Sequence, residues 1–176
     1  RLLGEPFEDG LLEQRLARWP GLRLEDFFLA HRDGRLVGCL APWDTSAFKR
    51  TRVVGYHGRM RAIKLGYGAA ARLFGFGALP SAGACFRFAF LTHLEIEGDD
   101  PAILRDLLRA AYASTYDAKL HFLSAMIPRA SPLEAAFRGF QVQRTAMTLY
   151  GVHPPTSRFA DRDLRTLRPG FEMALS

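Results

Sequence analysis

The spacing of apolar and polar residues in the first third of the chain predicts one short helix followed by strands. Residues 11–19 have the amphipathic spacing of a helix. Further on, two apolar runs flank Asp33-Gly34, a dipeptide typical of a two-residue hairpin turn. We therefore predict an antiparallel meander, preceded by a helical lead-in over residues 1–24. The predicted strands are 27–31, 36–41 and 51–57.

Residues 59–76 follow a helical period instead. Apolar side chains recur every three or four positions from Met60 to Phe74, which predicts an amphipathic helix. Gly66 and Gly68 give part of this segment the look of a glycine-rich phosphate loop, but a lone glycine pattern is weak evidence. We interpret residues 59–78 as an inserted helix.

The second half alternates strands with helices. A strand is predicted over residues 86–97, and Gly98-Asp99-Asp100-Pro101 then starts a helix, because Asp is a favoured cap and Pro suits the first helical position. This alternation predicts an α/β fold (an α+β mixed sheet) within a single domain over residues 1–176. The remaining predicted elements are a strand over 120–127, a short helix over 131–137, a strand over 145–152, a loop over 153–169 and an edge strand over 170–175.

The formal net charge of +6 is concentrated in one part of the sequence. No acidic residue lies between Asp44 and Glu95, whereas eight basic residues do. Such a stretch attracts polyanions: a phosphorylated cofactor, anionic lipid, nucleic acid or an acidic partner. A solvated basic face is the equally weighted alternative. The eight basic residues are Lys49, Arg50, Arg52, Arg59, Arg61, Lys64, Arg72 and Arg87.

Cysteine content and hydropathy narrow the class of protein. Cys39 and Cys85 are too few for a disulfide scaffold and lack the spacing of metal ligands, so we expect two buried thiols in a cytoplasmic protein. No apolar run reaches the ~18 residues of a membrane-spanning helix. Because the chain begins at Arg1, we also expect it to be a piece of a longer protein.

The element order resembles the GNAT N-acetyltransferase superfamily over about residues 25–152. The resemblance implies a meander, a strand that leads into a cofactor-binding helix, a further strand and helix, and closing strands. It also implies acetyl-CoA or another acyl-CoA as cofactor and an amine as acceptor. Four segments carry it: the Asp33-Gly34 hairpin with Leu36-Val37-Gly38, the strand 91–97 with its helix, the strand 120–127, and residues 133–140, which end in Gly139-Phe140.

The resemblance places a candidate site where the strand over 86–97 meets the helix that follows it. Glu95 is the implied base for the acceptor ammonium, with His93 as the alternative base, since an imidazole titrates near neutral pH. A solvated strand end is the competing interpretation of Glu95. The implied cofactor-binding residues are Leu94 and Ile96, through their backbone, and Gly98, Asp99 and Asp100.

The sequence departs from the family pattern at two places. Asp99 and Asp100 replace a basic, glycine-rich loop, and their side chains can cap the helix and repel a pyrophosphate. Ala135 stands where the family often has a tyrosine acid. Three functions therefore stay open: an acyl-CoA-dependent N-acyltransferase, a non-catalytic GNAT-like binding or regulatory module, and a polyanion- or membrane-binding surface over residues 48–72. A homodimer is open as well.

Overall fold

The helices and strands are those of a computed structural model that describes residues 10–75, 77–116, 118, 120–148 and 156–157. Its helices are α1 (Leu11–Leu16), α2 (Arg59–Phe74) and α3 (Pro101–Tyr116). Its strands are β1 (Phe28–Arg32), β2 (Arg35–Asp44), β3 (Thr51–Arg52), β4 (Cys85–Phe86), β5 (Phe88–Ile96) and β6 (Phe122–Ser124). Short 3₁₀ helices lie at Leu24–Asp26, Glu97–Asp99 and Pro132–Phe137.

The main sheet has the strand order β1-β2-β5-β6 and is mixed. β1 pairs with β2 and β2 with β5 in antiparallel fashion, whereas β5 and β6 run parallel with α3 between them in sequence. The β1–β2 turn is Asp33-Gly34, and both residues have positive φ (52° and 74°), as a type I′ turn requires. The predicted mixed α/β fold and the predicted hairpin are therefore confirmed.

Helix α3 covers one face of this sheet and builds the larger core with it. Its apolar residues recur at helical spacing, so that Ile103, Leu104 and Leu107 are buried on one side. Each buried Leu or Ile contributes about 1.5–3 kcal/mol to folding. The buried residues of this core are Val37, Leu40, Leu91, Ile96, Ile103, Leu104, Leu107, Leu108, Ala111, Leu133 and Ala136.

The opposite face is covered by the segment that follows α1. Trp43 is fully buried there beside Leu22 and Phe90, and its ring lies 5.4 Å from that of Trp19. The indole N–H of Trp43 donates to the carbonyl of Pro20 over 3.0 Å, so the buried polar group is satisfied. The sheet is thus packed on both faces.

The helix predicted over residues 59–76 is confirmed as α2. Gly66 and Gly68 lie inside it, so the interpretation of this segment as a helix is also confirmed. Gly75 ends it in the left-handed conformation (φ 74°), and its N–H donates to the carbonyl of Ala71.

Several predicted strands are shorter than expected or absent. The strand predicted over 51–57 reduces to β3, because the chain meets Gly55 and Gly58 soon after pairing with β4. The strand over 120–127 reduces to β6, whose three residues are those that pair with β5. Residues 145–148 form no strand, since residues 141–148 are all exposed and offer no face to bury.

Other predictions are changed in type or lie outside the described residues. The helix over 131–137 is a 3₁₀ helix that begins after the Ser131 cap, whose hydroxyl accepts from the N–H of Leu133. Residues 149–152, the predicted edge strand 170–175 and all of the 153–169 loop except 156–157 lie outside the described part of the chain. No helix that the described residues form is long and apolar enough to cross a bilayer.

Two glycine substitutions test this packing, and we expect them to change the free energy of unfolding in opposite directions. At Gly38 a Cβ would lie 2.9 Å from the Ile103 Cγ2 atom, and this branch of a stiff side chain cannot easily move away. Gly66 has no atom within 4 Å of that position. We expect Gly38→Ala to lower the free energy of unfolding by about 1–3 kcal/mol, and Gly66→Ala to raise it by about 0.5–1 kcal/mol.

Urea denaturation of both variants at unchanged m-value is the measurement. A gain in stability from Gly38→Ala would show that α3 does not press on β2 as the structure has it.

Candidate functional site

Strand β5 contains a bulge at His93 and Leu94. Thr92 is the register partner of Ala41 and Glu95 that of Cys39, so two residues of β5 stand opposite Leu40 alone. His93 has a φ of 52°, which is uncommon for a residue with a side chain. β-Bulges re-aim side chains and often lie next to functional sites.

The bulge decides which side chains of β5 enter the core. Leu91 packs against α3, and an uninterrupted strand would turn His93 and Glu95 to the same face. The extra residue shifts the alternation of side chains between the two faces of the sheet by one position. Leu94 and Ile96 therefore join the α3 core, and Glu95 stays exposed. The fold thereby avoids burying a carboxylate, which would carry a large desolvation cost.

The partner strand β6 accompanies β5 only part of the way. Their parallel pairing runs from Phe88–Phe122 to Phe90–Ser124, whereas β5 continues to Ile96. The carboxyl-terminal half of β5 therefore extends beyond β6 and leads directly to the start of α3. Ligands of sheets with parallel strands bind outside the carboxyl ends of the strands. The predicted residues Leu94, Glu95 and Ile96 lie there.

His93 lies in an aromatic environment on the α1 side of the sheet. Its ring centroid is 5.5 Å from that of Trp19 and 5.1 Å from that of Phe27. Its Nδ1 atom is 2.8 Å from the hydroxyl of Thr92, and its carbonyl accepts a hydrogen bond from the Cys39 thiol over 3.2 Å. Packing and hydrogen bonding therefore hold the imidazole in place.

A shallow depression lies beside Glu95. Its volume is about 270 Å³, near the lower end of the roughly 300–1,000 Å³ usual for small-molecule sites. It can hold a small group such as an acetyl, and a larger ligand would extend into solvent. The depression is lined by Leu36, Val37, Gly38, Cys39, Glu95, Ile96 and Glu97.

Asp100 caps the start of α3. Its Oδ1 accepts from the N–H of Ala102 over 2.8 Å, and its Oδ2 accepts from Arg32 over 3.2 Å. The backbone hydrogen bond from Ala102, followed by the one from Arg32, lowers the pKa of the Asp100 carboxyl below its ordinary value. The capping role predicted for Asp100 is present, and part of the positive end of α3 is already used.

Two arginines that the sequence interpretation did not select also lie at this site. Arg32 and Arg35 are partners across the β1–β2 turn, and Arg35 donates to the Glu97 carboxylate over 3.0 Å. Both guanidinium groups thus reach from the hairpin to the loop before α3. A signal was present in the sequence, because the two arginines flank Asp33-Gly34 and a tight turn places such residues side by side.

The loop between β5 and α3 is sharply bent and acidic. Gly98 and Asp99 both have positive φ (60° and 52°), and Asp99 is half-buried. Four carboxylates (Glu95, Glu97, Asp99 and Asp100) lie in six residues, and Arg32 and Arg35 form ion pairs with Asp100 and Glu97. Such an arrangement attracts a cation such as an ammonium, and an anion binds only where the arginines turn towards it.

Several basic residues of the 45–94 stretch bind neighbouring groups. Arg52 and Arg61 donate to the carbonyls of Gly83 and Tyr56, and Lys64 lies over the Tyr56 ring at 4.6 Å. Similarly, Arg50 donates to the Ser46 carbonyl and Lys49 lies over the Phe90 ring. These basic residues are spread over a loop, β3 and α2.

The structure also shows the surroundings of Ala135 and of the two cysteines, the remaining residues on which the sequence made a prediction. Ala135 accepts a hydrogen bond from Arg105 at its carbonyl and has no acid to offer. The expectation of two buried thiols is wrong for Cys85, which is exposed because β4 belongs to a two-stranded ribbon outside the main sheet, and Cys39 is half-buried. Among the described residues, no three or more His, Cys, Asp or Glu side chains are arranged so that they could hold a metal ion.

Comparison with known proteins finds similarity only among solved structures. No protein-family model and no curated protein matches the chain. A mutant of TTHA1254 from Thermus thermophilus is 20% identical, with a TM-score of 0.47 and 88% of each chain covered. A candidate acetyltransferase from Agrobacterium tumefaciens strain C58 is 14% identical, with a TM-score of 0.47 over 84% of this chain and 81% of that one.

A third similar structure is an aminoglycoside acetyltransferase, meta-AAC0020, from an uncultured soil metagenomic sample, in complex with trehalose. It is 11% identical, with a TM-score of 0.45 over 85% of this chain and 78% of that one. Likenesses of this size carry no argument about activity. The GNAT-like order is evident from the pairing itself: the meander β1–β2, the strand β5 running into α3, and the parallel strand β6.

The lowered pKa of Asp100 predicts a pH-dependent stability. Asp100→Asn keeps an oxygen that accepts from Ala102 but removes the charge that pairs with Arg32. A carboxyl whose pKa is depressed on folding stabilises above its unfolded pKa of about 3.9 and loses this effect as pH falls through the folded value. We expect a Tm below that of wild type at neutral pH and no difference in strong acid.

Thermal unfolding across this pH range is the measurement, with Asp106→Asn, an exposed carboxyl further along α3, as control. A Tm difference that is constant with pH would contradict the assignment.

Proposed function

We propose that this chain is a GNAT-type acyltransferase that transfers an acetyl or other acyl group from acyl-CoA to an amine. The observation that carries this proposal is the bulged half of β5, which extends beyond β6 and leads into α3. The family resemblance puts the thioester at such a strand end, beside the cofactor helix. The amine acceptor is undefined, and the single-domain extent and cytoplasmic location stay predictions.

Glu95 is the base in this proposal. It is exposed, borders the shallow depression and follows the bulge directly. Its carboxylate would take the proton of the acceptor ammonium, directly or through a water, and the amine would then attack the thioester carbonyl. His93 is the weaker candidate because its ring packs between Trp19 and Phe27.

The same strand end also offers candidates for the groups that orient the thioester carbonyl. Backbone groups of Leu94 and Ile96 are the candidates for orienting the thioester carbonyl, whose oxygen gains negative charge during attack. The nitrogen of the tetrahedral intermediate would lose its extra proton to solvent; on collapse the carbon–sulfur bond would break and CoA would leave as a thiolate. Ala135 cannot protonate it, so the proposal takes that proton from solvent.

Arg32 and Arg35 are the proposed cations for the pyrophosphate of the cofactor. Their side chains are 59% and 72% exposed, so exchanging a carboxylate partner for a phosphate needs little rearrangement. Guanidinium groups bind phosphate oxygens in pairs of charge-assisted hydrogen bonds. Gly98 leaves room for the approach, since a Cβ there would have no atom within 4 Å. Asp99 and Asp100 are then the anions whose repulsion the arginines must offset.

Thermal unfolding with acetyl-CoA and with a longer acyl-CoA tests the proposal. Ligand that binds only the native state stabilises it by about 2.7 kcal/mol at a hundredfold excess over the dissociation constant. We expect Arg32→Gln with Arg35→Gln to abolish this shift. Glu95→Gln is expected to keep the shift and lose turnover, with Glu134→Gln, an exposed carboxylate on the 3₁₀ helix, as control.

No shift with either thioester would rule out an acyl-CoA enzyme. Turnover that survives in Glu95→Gln would instead remove only Glu95 from the mechanism.

A non-catalytic GNAT-like binding or regulatory module is the second candidate. One observation favours it: Asp100 occupies N–H groups at the start of α3, and two ion pairs join the hairpin to the same loop. In that case these contacts hold the loop between β5 and α3 in place, and the loop has a structural role only. The absence of any CoA-dependent stabilisation, together with full folding, is the result this alternative predicts.

A further inference from the structure

Helix α2 exposes large apolar side chains to solvent: Met60, Ile63 and Phe74 towards the domain side, and two leucines on the opposite side. Ala71 is its only fully buried residue, and Lys64 and Tyr67 are half-buried on the same side. The opposite side carries Leu65 and Leu73, which are 76% and 77% exposed. A surface helix normally places polar residues there. This helix instead has two leucines on the side that points away from the domain.

Small residues and basic residues complete this outer face. Ala62 and Ala69 lie three or four residues from the leucines, Gly66 lies seven residues from Leu73, and all three share their side of the helix. Arg61 and Arg72 flank one edge of the face, and both are exposed. The backbone carbonyl of Tyr56 accepts from the Nε of Arg61 over 3.0 Å and so positions this guanidinium.

All charged residues of α2 have one sign. The helix contains four basic residues and no acid, and no acid occurs anywhere between Asp44 and Glu95. A surface of this kind combines apolar side chains that can enter a hydrocarbon layer with cations that bind anionic headgroups. This is the composition of helices that lie in the plane of a membrane interface.

We propose that α2 docks on an anionic phospholipid bilayer. Leu65 and Leu73 enter the acyl boundary, and Arg61 and Arg72 remain at the depth of the lipid phosphates. This surface shares no residue with the β5–α3 region. A failure of this proposal would therefore leave the proposed acyl transfer unaffected, and the reverse also holds.

Charge distinguishes this occupant from the alternatives. A second copy bound through the same face would bring the four basic residues of both α2 helices together, and α2 itself contains no acid to compensate them. A nucleic acid would bind the arginines but offers no apolar layer for two exposed leucines. An anionic bilayer matches both kinds of side chain at once.

The test is co-sedimentation of the full chain with vesicles of phosphatidylcholine alone, and of phosphatidylcholine mixed with phosphatidylglycerol in equal parts. We expect binding to the anionic vesicles only, weakening as salt is raised. Arg61→Gln with Arg72→Gln should lower the partition coefficient roughly tenfold or more, and Leu65→Ser with Leu73→Ser by a similar factor.

Matched controls lie elsewhere on the surface. Leu24→Ser with Leu29→Ser removes two exposed leucines, and Arg109→Gln with Arg129→Gln removes two exposed arginines. Both control pairs should bind anionic vesicles like wild type. Thermal unfolding of all four double variants verifies that each is folded.

Three results would overturn the proposal. The first is no binding, or equal binding to neutral vesicles. The second is a dimer in sedimentation equilibrium that Leu65→Ser with Leu73→Ser dissociates, which would make a second copy the occupant. The third is binding to duplex DNA that depends on Arg61 and Arg72 but not on the leucines, in the absence of vesicle binding.

Discussion

The bulge at His93 and Leu94 is the constraint on which the rest of the structure depends. Without the extra residue, the strand that carries Leu91 into the α3 core would carry Glu95 there too. With it, Leu94 and Ile96 complete the core, and Glu95 is delivered to the surface beside the start of α3. The positive φ of His93 is held by its packing between Trp19 and Phe27. Core packing and the candidate chemistry thus share one backbone irregularity.

Local signals made much of the fold predictable. Asp33-Gly34 indicated the hairpin and Asp100-Pro101 the start of α3, because each is a short-range steric or capping preference. Strand lengths were less predictable. Residues 145–148 have strand-like composition but no surface to bury, and only tertiary context decides this. The bulge had no local signal either, since the run from Phe88 to Ile96 reads as one continuous strand.

At the candidate site, the sequence indicated the cap of α3 but not the arginines that pair with the loop before it. Asp100 was expected to cap α3, and its bond to the Ala102 N–H shows that it does. The role of Arg32 and Arg35 was not predictable from local sequence, because their carboxylate partners are more than sixty residues away. Because these arginines lie beside the loop, their charge partly offsets the repulsion that its carboxylates would exert on a phosphorylated ligand. The loop is acidic in sequence, yet the folded chain brings two exposed cations to it.

The central claim is that the ligand end of this fold is the bulged half of β5. Backbone amide chemical shifts of isotope-labelled protein, followed during titration with acetyl-CoA, test it most directly. The account predicts saturable changes at residues 91–96 and in the first turn of α3, while the amides of α2 stay unchanged. Saturable changes confined to α2 and its basic neighbours, or no saturable change at all, would contradict it.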